Sequence, residues 1–345
     1  MQIRTPILVL LMAGLIIGSS CLPKPANETG GGINITLYGF SIMKESLEKE
    51  IYPAFAAKWK REHGVDVHFT SSFAGSETVT NQIIQGVKAQ IAILSIERDA
   101  QRLKDKGLVT SDWRLLPQKG IVNRTPFVIL VRKGNPKRIN DFPDLAKPGI
   151  KLIHPDPISS GGAQWSILAI YGSELVKSQK QTGEADHARA LQMLQAIWRN
   201  VISTPASARE ARTTFELGNG DALVTYELDG LLMKQNNSKV DAEIVIPEAT
   251  ISSEHPAVVI DRNVSASERP VIDAFMQYLW SDDAQRAFVK YHFRSSTTEA
   301  FDKENQELAT IKMPFTVNDP LFGGWDKAYP EVIEGVFRDL VQKRK

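Results

Sequence analysis

The chain has 345 residues, 41 Lys plus Arg against 40 Asp plus Glu, a formal net charge of +1 and a single cysteine. One cysteine excludes an internal disulfide, and a balanced charge without a basic stripe or interleaved aromatics argues against nucleic acid as a partner. Once the N-terminal segment is set aside, roughly 310 residues remain, more than one hydrophobic core usually serves, so two lobes are expected.

Residues 1–20 carry one charge, Arg4, ahead of the apolar run from Ile7 to Ile17 and the small residues Gly18, Ser19 and Ser20. A basic start, an apolar stretch too short for a membrane span and a small-residue cleavage site make a secretory signal, so a periplasmic or extracytoplasmic location is expected. Cys21 stands where a bacterial lipoprotein is cleaved and acylated, although Gly18 occupies the usual leucine position. Lipidation at Cys21 and a plain signal peptide both remain open. Residues 21–32, rich in Pro, Gly and polar side chains, read as a flexible tether. Without Arg4 the mature chain is formally neutral.

From Ile33 apolar strand-like runs alternate with helical patterns: Ile33 to Tyr38, a helix through Tyr52 to Glu62, Val65 to Phe69, a helix from Thr78, and Ile91 to Ser95. Such alternation predicts a parallel α/β sheet, whose ligands gather at the strand carboxyl ends. Phe127 to Val131 is a further strand, and a second α/β unit runs to about Glu248 before Ala257 to Ile260 and closing helices. Two crossings, near 124–127 and 253–256, would join lobe 1 (33–125 and 256–345) to lobe 2 (126–255) around a cleft.

The segment from Pro155 to Trp165 holds the most specific local signal. A short strand (Ile150 to His154) breaks at two prolines, and Ser159-Ser160-Gly161-Gly162-Ala163 then opens an apolar-periodic helix. Without Cβ atoms on Gly161 and Gly162 a ligand can reach the main chain, where first-turn N–H groups and the helix dipole favour an anion. The same tripeptide also serves as an ordinary N-cap and turn. Three other segments place small or hydroxyl residues before a helix: Ser71 to Thr78, where Ser76 caps or donates to a ligand, Ala206-Ser207-Ala208-Arg209, and the loop Tyr38 to Ile42.

Other chemistry finds no support in the sequence. The six histidines are scattered without a two-His helical motif, so no metal is expected. No G-x-S-x-G elbow or Walker loop occurs, so neither an enzyme nor a cofactor is expected.

Val131-Arg132-Lys133-Gly134-Asn135-Pro136-Lys137, Ser159 to Ala163, Phe215 through Gly220-Asp221, and Phe322-Gly323-Gly324-Trp325 occur in the order seen in the periplasmic sulfate-binding proteins of ABC importers, which the chain resembles from about Ile33 to its C-terminal helix. The resemblance implies a two-lobed, venus-flytrap fold of type II. It also implies a monomeric receptor that holds sulfate or thiosulfate through neutral donors and delivers it to an ABC permease in the membrane. By position it assigns Ser160, Gly161 and Gly162 to the anion-binding turn, Ser76 to the binding serine, Ala208 to a backbone donor and Tyr226 to the indole donor, with Ile42 as a weak backbone match. Arg209 is then either a charge behind these donors or one half of an exposed salt bridge.

Departures from the resemblance keep other ligands open. Tyr226 replaces tryptophan, and its phenol accepts as well as donates. Asp156 and Ile158 stand for asparagine and lysine, Gln164 for arginine, and Glu77 for the glycine after the serine. Facing the cleft, Glu77 would repel sulfate and accept the proton of hydrogen phosphate. The expectation is instead that this first-turn acid complements the helix dipole and faces water. Phosphate, molybdate or a small organic anion remain alternative ligands, and an exported phosphate or sulfate ester hydrolase or a ligand-sensing lipoprotein remain alternative classes.

Overall fold

The computed structural model describes residues 32–235 and 242–344. The expected signal segment 1–20, Cys21 and the tether up to residue 31 lie outside the described residues.

Among the described residues eleven strands alternate with helices: β1 (Ile33–Phe40), β2 (Val67–Ala74), β3 (Ile91–Ile93), β4 (Ile121–Arg132), β5 (Leu152–Ile153), β6 (Val201–Ser203), β7 (Ala222–Tyr226), β8 (Ala242–Val245), β9 (Ala249–Val259), β10 (Arg294–Ser295) and β11 (Met313–Phe315). The helices that matter below are α1 (Tyr52–His63), α2 (Ser76–Ile84), α3 (Glu97–Asp105), α4 (Gly161–Thr182), α5 (His187–Trp198) and α6 (Ala208–Glu216). β1 runs parallel to β2 and β3, and β5 runs parallel to β6 and β7. Between these groups lie the long strands β4 and β9, antiparallel to each other. β4 pairs with β9 over 121–126 and with β7 over 127–131, while β9 pairs with β4 over 252–256 and with β3 over 257–259. The two expected crossings are therefore one pair of adjacent strands. Two parallel groups sharing this central pair form the two-lobed α/β fold expected from the sequence.

The strand from Phe127 to Val131 is buried on both faces, which is why it reads as an unbroken apolar run. Its N-terminal half escapes that pattern because Asn123 and Thr125 are polar yet fully buried. Asn123 Oδ1 lies 2.6 Å from His255 Nδ1 on the opposing strand, and His255 Nε2 lies 3.1 Å from Ser253 Oγ. β2 likewise continues to Ala74, beyond the Val65 to Phe69 run read from the sequence, because every residue of it pairs with β1.

The sequence pattern groups 256–345 with 33–125, but residues from Met313 onward pack on α4 and α5. Gly172 of α4 leaves room for the Phe315 and Phe322 rings, which a Cβ there would meet at 2.6 and 2.5 Å. Trp325 packs edge-on against Trp165, and Phe337 against Trp198, each with ring centroids 4.6 Å apart. The helical stretch 325–341 also meets α3, where the Arg98 guanidinium lies 3.5 Å over the Tyr329 ring. Aromatic spacing alone marks these residues as buried without saying against which helix.

Two buried histidines set an acid limit on this fold. Burial lowers His154 to about 4 and His255 to about 3, from an ordinary value near 6.5. A histidine with a depressed folded pKa gives stability that is present above pH 6.5 and lost as pH falls through the folded value. The melting temperature should therefore drop from pH 6.5 to 4, and the stability gap between wild type and His255→Asn should narrow over that range. Thermal unfolding of both proteins across the pH series is the check, and parallel curves would exclude His255 as the titrating group.

Candidate functional site

Helix starts and turns that follow parallel strands converge on one buried locus. α2 starts at Ser76 directly after Gly75, the turn 155–160 leads from β5 into α4, and the loop after β6 leads through Ser207 into α6. Ser160 and Ser207 are the N-caps of α4 and α6, accepting the N–H groups of Ala163 and Glu210 at 3.4 and 3.2 Å. Ser41, Ile42 and Met43 form a buried turn at the end of β1, and Arg209 N–H donates to Ser41 Oγ at 3.4 Å.

The approach is close enough to exclude side chains. A Cβ on Gly75 would lie 2.2 Å from Ser159 O and 2.8 Å from Ala206 O. One on Gly161 would lie 2.8 Å from Ser95 Cβ and 3.2 Å from Ser76 Cβ, and one on Gly162 would lie 2.8 Å from the Tyr226 hydroxyl. The N–H groups of Ser76, Glu77, Gly161, Gly162 and Ala208 occupy first-turn positions with no intrahelical acceptor. Such an array offers fixed positive dipole ends to an anion.

A hydrogen-bond network behind these donors was not foreseen in the sequence. Ser76 Oγ donates to Asp99 Oδ2 at 2.6 Å and accepts Ser95 N–H at 3.0 Å. Its hydroxyl is thus spent inward, and its backbone N–H is what Ser76 can present. Ser95 Oγ lies 2.9 Å from the Tyr226 hydroxyl, and Trp165 Nε1 donates to Ser95 O at 2.7 Å. An indole donor is present after all, supplied by Trp165 and engaged by protein. Burial raises the Tyr226 phenol, keeping it protonated and able to donate.

The expectation that Glu77 faces water is overturned. Glu77 is buried, with Arg98 NH1 3.0 Å from Oε1 and Arg102 NH1 on Oε2, and Gln164 Nε2 donates to Oε1 at 3.2 Å. Two guanidinium groups from α3 make burial of the carboxylate tolerable. Burial, and then the charge of Glu77, push the neighbouring Asp99 up to about 7. Arg209 is equally committed: both its terminal nitrogens meet the carboxylate of Glu45 in a part-buried pair. Sequence reasoning missed Ser95, Asp99 and Trp165, of which only Ser95 carried a signal, at the carboxyl end of the predicted Ile91 to Ser95 strand. Among the described residues no three His, Cys, Asp or Glu side chains are grouped to hold a metal ion.

Residues 43–294 match the family described as bacterial extracellular solute-binding protein. The chain belongs to that family. It is 33% identical over 341 residues to the sulfate-binding protein of Synechococcus elongatus, covering 97% of this chain and 94% of that one. The thiosulfate-binding protein of Escherichia coli (strain K12) is 34% identical, with 83% and 82% covered. Among solved structures, the sulfate-binding protein SubI from Mycobacterium tuberculosis H37Rv matches with a TM-score of 0.77 and 27% identity, over 87% of this chain and 99% of that one. A periplasmic thiamin-binding protein, with a TM-score of 0.57 and 13% identity, shares the fold. No helix among the described residues is long and apolar enough to cross a membrane.

The locus is set by how closely the backbone at Gly75 approaches Ser159 and Ala206. Forcing an extra carbon into a packed contact costs about 1–3 kcal/mol, so Gly75→Ala should weaken binding of a probe anion at these helix starts roughly ten-fold or more. The ligand-free melting temperature should change little, because a cleft that opens without ligand parts these two backbones. Calorimetric titration beside a thermal melt is the measurement, and unchanged affinity would show that α2 and the 155–160 turn need not touch when ligand is held.

Proposed function

We propose that this chain is the extracytoplasmic receptor of an ABC importer, capturing sulfate or thiosulfate and delivering it to a membrane permease. The observation that carries this reading is the convergence of neutral donors on a locus whose charged neighbours are already paired. Backbone N–H groups of Ser76, Gly161, Gly162 and Ala208, the Ser160 hydroxyl and the Tyr226 phenol are the ligand donors, with Ile42 at the edge of the set. Sulfate carries no proton at neutral pH, whereas hydrogen phosphate must donate one. Glu77, the acid that would accept it, is taken up by Arg98, Arg102 and Gln164. The curated relatives named for sulfate and thiosulfate point the same way.

In this reading lobe 1 holds residues 33–125 and 256–312, and lobe 2 holds 126–255 together with 313–341, hinged at the paired strands β4 and β9. Residues 1–20 direct export, Cys21 carries a lipid anchor, and the receptor acts as a monomer without catalysing a reaction. Fixed dipoles replace the hydration shell of the dianion without a contacting cation that would slow release.

The test is isothermal titration of extensively dialysed protein with sulfate, thiosulfate, phosphate and molybdate. Sulfate or thiosulfate should bind tightly and phosphate should be silent, and Ser160→Asp should abolish binding by placing a carboxylate among the donors. Phosphate binding with both sulfur oxyanions silent, or full affinity in Ser160→Asp, would refute the proposal.

A further inference from the structure

Two residues at which the chain departs from the resemblance read in its sequence, Glu77 and Gln164, touch each other. Gln164 lies in the first turns of α4, and Glu77 is the second residue of α2. The Gln164 Nε2 group donates to Glu77 Oε1 and to Pro157 O, each at 3.2 Å, so one buried amide ties the turn ahead of α4 to the acid at the start of α2. A second line of contacts leaves the same carboxylate. Arg98 pairs with Glu77 while its guanidinium lies 3.5 Å over the ring of Tyr329, whose helical stretch packs on α4 and α5. Arg102 fixes the other carboxylate oxygen and reaches Asn81 of α2 at 2.6 Å and Asp99 of α3 at 3.3 Å.

We propose that Glu77 is a positioning residue that latches the N-terminus of α2 to the N-terminus of α4, and that this latch governs ligand release. The proposal rests on the receptor reading above, in which α2 and α4 lie on opposite lobes. The carboxylate does its work through Gln164 and Arg98, both of which reach lobe 2, and makes no contact with the ligand. Paired with two guanidinium groups, it does not repel the bound anion. A latch acts on the difference between closed and open forms, so its loss speeds release and leaves encounter almost untouched.

The sign of the effect separates this role from a ligand-facing acid. Were Glu77 aimed at the anion, Glu77→Gln would remove a repulsion and tighten sulfate binding. As a latch, Glu77→Gln loosens it. Gln164→Leu removes the amide bridge while leaving both Arg–Glu77 pairs intact, so it tests the latch without exposing an unpaired charge.

The experiment is stopped-flow tryptophan fluorescence of the mature protein with sulfate, and with thiosulfate if sulfate is silent, on wild type, Glu77→Gln, Gln164→Leu and the double variant. Each single change should raise the release rate roughly ten-fold, the equivalent of ~1.4 kcal/mol, with association within two-fold of wild type. The double variant should release no faster than the faster single, because the contact removed by Gln164→Leu is one that Glu77→Gln already weakens. Ligand-free melting of Gln164→Leu should match wild type, which a purely structural role would not allow. Slower release in Glu77→Gln, additive effects, or an unchanged rate in Gln164→Leu would each overturn the latch, and the Gln164→Leu rate decides alone if Glu77→Gln fails to fold. A wild type that binds neither anion would instead overturn the receptor reading.

Discussion

The close approach of two helix N-termini is the constraint on which the rest of this site depends. Donors from α2 and α4 can face one small anion only if the backbones leading into those helices touch. They touch here at Gly75 against Ser159 and Ala206, and at Gly161 against Ser76 and Ser95. Neither glycine position needs a left-handed backbone; Gly75, for instance, has φ −59°. Glycine is required there for space. The strands place the helix starts within reach, and the missing Cβ atoms set the final separation.

Charge is then arranged so that the dipoles dominate locally. Burying Glu77 and Asp99 beside an array of anion donors would oppose binding if both stood alone. Arg98 and Arg102 pair with Glu77, Arg102 reaches Asp99, and burial holds Asp99 toward its neutral form. Arg209 is matched by Glu45, and Arg212 meets the buried Asp229 at 2.9 Å. Buried pairs of this kind add little net stability because desolvation offsets their attraction. Their effect is to bring helices together in one register while leaving no uncommitted cation from these clusters at the donors.

Much of this was legible in the chain, and the exceptions share a cause. The alternating strands, the Ser160 turn and the Ala208 helix start are local patterns, so composition and spacing reveal them. Ser95, Asp99 and Trp165 act through partners 19 to 131 residues away, and no local pattern encodes such a pairing. Ser76 was singled out for its hydroxyl, but a sequence cannot say which way a hydroxyl turns, and this one donates to Asp99. The first half of β4 hid because buried Asn123 and Thr125 interrupt the apolar run. Glu77 misled for a related reason: an acid in a first helical turn usually faces water, and the two arginines that change this lie a full strand and loop away.

For a receptor of the kind proposed, the central strand pair divides what stays rigid from what must break. β4 and β9 are hydrogen-bonded along 121–126 and 252–256 and cross-linked by Asn123 and His255, so the floor of the site is continuous. Contacts above it, between Gly75 and Ser159, Ser95 and Tyr226, Trp165 and Ser95, Gln164 and Glu77, and Arg209 and Glu45, are the ones an opening motion must break. An opening motion can therefore cost only what those contacts and the ligand together supply. Since a ligand shifts such an equilibrium only by its differential affinity for the two forms, an anion small enough to meet both α2 and α4 at once stabilises closure. One that reaches a single helix start gains nothing from it. Selection at this site thus follows from span as well as charge: the glycines fix the distance, and an oxyanion must fill it from both sides.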